Sequence, residues 1–127
     1  MKAEIKEEEL MIGNIINWKG RPVKVTMIGE FGIQCTDDIG IINAKFSTPD
    51  LRGIPLTPEI LEKCGLGWEH LGYSVIQCKI GELKLQSFCG SGWVLSCNGI
   101  ELQMVKYLHQ LQNLYFALTG THLTIEL

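Results

Sequence analysis

Apolar and polar residues change period several times along the chain, and each change marks an element. Val23–Ile28 (VKVTMI) alternates at period two, as a strand with one covered face does. Before it, NWKGRP (Asn17–Pro22) carries the breakers Gly20 and Pro22 and reads as a turn. After it, GEFG, IQCT, DDIG and IINAKF read as turn, strand, turn and strand. Short strands with tight turns over residues 11–50 predict a meander or a small barrel-like sheet. Residues 2–10 read as a short helical turn or a frayed end.

The texture changes at STPDLRGIPLTPEILEKCGLGW, where Pro49 and Pro55 favour extended chain. LTPEILEKCG then carries full helix punctuation. Thr57 is the N-cap, Pro58 the first helical residue, Glu59 sits in the first turn and Gly65 is the stop. Ile60, Leu61 and Cys64 share a face, so this short helix packs. The segment GLGWEHLG reads as a loop. Residues 72–104 return to strands: YSVIQCKI, ELKLQSF, GWVLSC and IELQMV. Asn98-Gly99 between the last two is a strong hairpin signal. From about Val105 to Thr119 the period becomes helical. Met104, Tyr107, Leu108, Leu111, Leu114, Tyr115 and Leu118 recur at three and four, and Gly120 supplies a left-handed cap. HLTIEL is expected as a terminal edge strand.

Strands, a short helix, more strands and a longer helix predict an α+β fold, with antiparallel strands packed against a C-terminal amphipathic helix. A length of 127 residues fits a single domain, 1–127, with sub-parts 11–50 (strand-rich) and 54–127 (helix, strands, helix).

Composition narrows the function classes. Apolar residues make up 46% and charged residues 20%, which is globular and not disordered. The net charge is -3 and the 11 Lys and Arg are scattered, against the clustered cations that tight nucleic-acid binding needs. Five cysteines (Cys35, Cys64, Cys78, Cys89 and Cys97) form neither an even framework nor a CxxC pair, so they read as small core residues in a reducing compartment. Glu4, Glu7, Glu8 and Glu9 stand where a signal peptide would have cations and an apolar run, and no stretch approaches the ~20 apolar residues of a membrane helix. The expectation is a cytoplasmic protein with no membrane segment.

The candidate chemistry is sparse. His109 and Asn113 lie four apart on one helix face, near Lys106, Gln110 and Gln112. Histidine can act as base, acid or ligand. No carboxylate or nucleophile sits at helical spacing from it, so the face reads as solvated or bonded to a neighbouring strand. His70 and His122 fit no metal spacing with the cysteines, and neither a metal nor a cofactor is expected. Asp37-Asp38 reads as a turn, and CGSGW (Cys89–Trp93) as a hairpin loop. No phosphate loop, GxSxG or HExxH is present. Trp18, Trp68 and Trp93 each adjoin a turn, as interface anchors often do.

Three stretches in order, EELMIGNIINWKGRPVKV (Glu8–Val25), IPLTPEILEKCGL (Ile54–Leu66) and HQLQNLYFALTG (His109–Gly120), resemble a group of small, uncharacterised proteins of gut bacteria, their phages and their mobile elements. The chain departs from that group's pattern in having Met11 for an arginine and GTHLTIEL after the last motif. The resemblance implies a phage- or element-associated accessory protein and carries no catalytic residue. IGNIINWKGRPVKVTMI also resembles the first strands of small KOW- or Tudor-type barrels, modules that bind RNA, DNA or protein tails.

Three readings follow. The first is a non-enzymatic binding or protein-interaction protein with an unidentified protein or small-ligand partner, self-associating as a homo-oligomer. The second is a nucleic-acid module whose patch is Trp18, Lys19, Arg21 and Lys24. The third is an enzyme with its site near His109. Trp18, Arg21, Lys24, Trp68, Trp93, His109 and Asn113 are the candidate surface.

Overall fold

A computed structural model describes residues 9–37, 39–45, 51–72, 75–80, 82–88, 92–123 and 125. The sequence readings at residues 2–8, Asp38, 46–50, 73–74, 81, 89–91 and half of HLTIEL lie outside these. Contacts divide the chain into two compact units. One runs to Pro55 and takes in Tyr107–His122; the other is Leu56–Lys106 with the end of the chain.

The first unit is a five-stranded antiparallel sheet. Its strands are β1 (Ile15–Trp18), β2 (Arg21–Ile28), β3 (Gly32–Thr36), β4 (Ile41–Lys45) and β5 (Leu51–Arg52), in the order β4-β3-β2-β1-β5. The NWKGRP turn is a two-residue loop with both Lys19 (φ 50) and Gly20 (φ 82) left-handed, the turn type whose twist matches the strands. Register places Ile16 opposite Val23 and Val25 opposite Cys35, so the period-two apolar set shares one face. That face, with Leu10, Ile33, Ala44 and Leu51, is the core, and Trp18 and Ile42 pack on it. A bulge after Val25 inserts an extra residue and turns Met27 to the outer face, opposite Gln34.

A helix, α2 (Leu108–Thr119), completes this unit. It starts later than the spacing predicts, because Met104 and Val105 belong to a strand of the second unit. Of the expected stripe, Leu108 and Leu111 are buried, Leu114 and Tyr115 half-buried, and Leu118 exposed. Gly120 closes the helix in the left-handed region, as expected. The helix thus groups with the N-terminal strands and not within a 54–127 part, because its polar side chains bond to residues 9–15.

In the second unit, α1 (Pro58–Lys63) has the punctuation read from sequence. Thr57 Oγ1 accepts from the Ile60 amide at 3.2 Å, and Gly65 is left-handed just past the helix. A five-stranded antiparallel meander follows: β6 (Trp68–Gly72), β7 (Val75–Ile80), β8 (Leu83–Phe88), β9 (Trp93–Cys97) and β10 (Ile100–Val105). Strand β6 corrects the loop reading of GLGWEHLG: His70 pairs with Ile76 in the sheet. Asn98-Gly99 makes the expected hairpin, joining Cys97 to Ile100. Cys78, Leu85 and Leu95 lie side by side on three strands and are fully buried. The chain is α+β, antiparallel sheet plus a C-terminal helix. Among the described residues no helix is long and apolar enough to cross a membrane.

Candidate binding surface

The polar face of α2 is spent on its own fold. Gln112 accepts from the Ile15 amide at 2.8 Å and donates to the Gly13 carbonyl at 3.2 Å. Asn113 accepts from Asn14 Nδ2 at 2.7 Å and donates to the Glu9 carbonyl. Asn14 in turn accepts from the Met11 amide, and its backbone pairs with Val25. The IGN and HQLQN stretches therefore meet as one latch. Gln110 closes the helix start by accepting from the Tyr107 amide at 3.1 Å.

His109 has no exposed surface, so of the two readings of this face the solvated one fails and the bonded one holds. Its Nε2 is 3.3 Å from the Glu9 carboxylate, and its Nδ1 is buried without a partner. The ring stacks on Tyr107, with centroids 5.9 Å apart and planes 6° from parallel. Gly53 leaves room for that stack: a Cβ there would lie 2.8 Å from Tyr107 Cγ and 3.1 Å from His109 Cε1. Burial holds the imidazole below its ordinary value, and Glu9 only partly offsets this. A neutral ring sealed from solvent cannot reach a substrate. His109 is thus engaged by Glu9 and Tyr107, and Asn113 by Asn14 and Glu9.

Within each unit the candidate tryptophans and cations are spread over different places. Trp18 lies opposite Arg21, and Lys19 Nζ sits 5.2 Å from the Trp18 ring. Arg21 is paired with Asp37 at 3.1 Å. Lys24 lies opposite Ile15, three residues on from Arg21, so the two cations point to opposite faces. Asp37 accepts from the Ile39 and Gly40 amides, which shape the turn and, with Arg21, hold its carboxyl below the usual range. Trp93 is buried, its indole donating to the Leu56 carbonyl at 3.1 Å. Trp68 donates to Glu62 and meets His70 edge-on, with two strands, β7 and β8, between it and Trp93.

Three of the thiols are likewise sequestered. Burial pushes the Cys35, Cys64 and Cys78 thiols up to about 11, which leaves them protonated and weakly nucleophilic at neutral pH. Among the described residues no three His, Cys, Asp or Glu side chains converge to hold a metal ion.

A concave surface of the first unit lies at the β2–β3 turn. A groove of about 420 Å³ has Met27, Ile28 and Phe31 as apolar walls, Ile33 and Ala44 beneath, and Lys45 at its rim. Phe31 is 76% exposed and Met27 59%. Gly32 makes the shape possible, since a Cβ there would meet the Ala44 carbonyl at 2.2 Å. Strand β4 is one edge of the sheet. The sequence reading took GEFG as punctuation and missed this site; its one signal was a phenylalanine within a tight turn, where no neighbouring strand position can cover it.

No protein-family model, curated protein or solved structure matches this chain.

Proposed function

We propose that the chain is a non-enzymatic, cytoplasmic interaction module that binds a partner protein through the groove at the β2–β3 turn. The observation that carries this reading is the cluster of exposed Met27, Ile28 and Phe31 around one concavity. A contiguous apolar patch around a concavity is a docking feature, because covering it removes apolar surface from water. The enzyme reading loses its support with His109 sealed, and the nucleic-acid reading with Arg21 and Lys24 on opposite faces. An accessory role agrees with the resemblance to small proteins of phages and mobile elements. Self-association is supported separately by the exposed Ile100, Leu102 and Met104 of edge strand β10.

The test is photo-crosslinking in the native host with p-benzoylphenylalanine at position 31. One discrete protein adduct is expected, lost when Met27→Asp is added. A control probe at exposed Lys79 should not give it. Identical adducts from both positions, or none from position 31, would end the groove reading.

A further inference from the structure

We infer that the groove receives the apolar C-terminus of a partner polypeptide, whose free carboxylate is held at Lys45. The inference rests on the groove being a protein-binding site, as proposed above, and names the chemistry of its occupant.

The register supplies the polar end. Gln34 lies opposite Asn43 and Gly32 opposite Lys45, so Gln34, Asn43 and Lys45 occupy one face of the sheet. Met27, opposite Gln34, joins them there. Among the described residues these two side-chain amides and the ammonium have no hydrogen-bond or ion-pair partner. Lys45 is the one charge among the residues that line the groove, and no carboxylate faces it there. A lone cation with free amide donors beside it complements an anion that accepts several hydrogen bonds. The apolar wall beside these groups, Met27 and Phe31, requires that the anion carry an apolar body.

Two sources offer such a ligand, a fatty acid and a peptide terminus. The edge favours the peptide. Strand β4 pairs only with β3 among the described residues, so one side of its backbone is open to an added strand. An extended peptide fills that side with main-chain hydrogen bonds while its last side chains enter the groove. A fatty acid leaves those groups unused.

The test uses the full chain and fluorescein-labelled Gly-Ser-Gly-Ser-Ile-Val-Leu-Phe, as the free acid and as the C-terminal amide, with decanoate as the lipid arm. The acid is expected to bind at least tenfold more tightly than the amide. Lys45→Met, which keeps the aliphatic stem at an exposed strand end, should erase that preference with an unchanged circular dichroism spectrum. Phe31→Ala should weaken both peptides. Equal affinity for acid and amide overturns the carboxylate assignment and leaves the groove a protein site. Tighter binding of decanoate than of the peptide acid overturns the peptide occupant. Binding unaffected by Phe31→Ala places the peptide elsewhere and overturns the inference. No binding of either peptide also overturns it, and the crosslink at position 31 then decides the broader reading by itself.

Discussion

His109 shows how one residue's surroundings decide between chemistry and architecture. The same imidazole on an open helix face would be a titrating group of ordinary value. Here Tyr107 covers one face, Gly53 permits the close approach, and a single carboxylate, Glu9, touches Nε2. Burial is the larger influence and it disfavours the charged ring. The folded state therefore binds its proton less readily than the unfolded chain, whose histidine titrates near 6.5. As pH falls below about 6.5, the unfolded chain gains a proton that the folded one does not, and stability drops until the folded value is passed. Glu9, the charged group facing the ring, opposes this without reversing it. Urea midpoints taken at about pH 7.5 and about pH 5 should show that loss in the parent protein. His109→Phe, which keeps the stack on Tyr107, should show a smaller one. Parallel losses in both proteins would assign the acid sensitivity to other groups.

At the level of elements, what was legible in the sequence was local. The start of α1 could be read because Thr57 caps an amide three residues away, and the β9–β10 hairpin because Asn98-Gly99 meets its backbone need within two residues. The meander of the first unit followed from the alternation of Val23–Ile28 and from the turn residues between the short strands. Strand β6 was missed because WEHLG is almost wholly exposed and has no apolar alternation to read. The helical stripe ran too far back because Met104 sits three residues before Tyr107, a spacing equally compatible with a strand end. The latch was illegible for a different reason: Asn113 and Asn14 are separated by 99 positions, and nothing local pairs them. The groove needed the bulge in β2 and the course of the GEFG turn, neither of which alternation encodes. The latch gives a prediction of its own. Asn113→Ala leaves the Asn14 amide and the Glu9 carbonyl without their partner, a cost of about 1–3 kcal/mol where such groups are buried. Because Gln112 still holds Ile15, the loss should be local. Hydrogen exchange should accelerate at Met11 and through the last two turns of α2 while the amides of β7 and β8 keep their protection. A uniform acceleration in both units would show that the latch governs global stability instead.

At the scale of the whole molecule, Leu56–Lys106 of the second unit is inserted between β5 and α2, and each unit ties its own chain passages. In the first, Leu108 donates to the Ile54 carbonyl at 2.8 Å and Pro55 bridges Tyr107. In the second, Leu56 donates to the Lys106 carbonyl at 3.0 Å. Among the described residues each sheet is open, so each has edges to protect. Strand β10 is one of them, and it exposes Ile100, Leu102 and Met104 where lysines are the common safeguard. Its register shifts between Glu101 and Gln103, so Leu102 stands out of the ladder. That bulge makes continuous backbone pairing with a second sheet poor, but it leaves the apolar side chains in water. Association through β10 should then be driven by side-chain burial, which is weak for three residues and so dependent on concentration. Sedimentation of the parent protein should show a mean mass that rises with concentration. Leu102→Lys places a charge at the bulge and should hold the chain monomeric throughout, with peptide binding at the groove of the other unit unchanged. A parent protein that stays monomeric at every concentration would remove β10 as a contact surface. A variant that associates as before would move the contact to another edge, with β4, whose Ile41 is 66% exposed, the next to test.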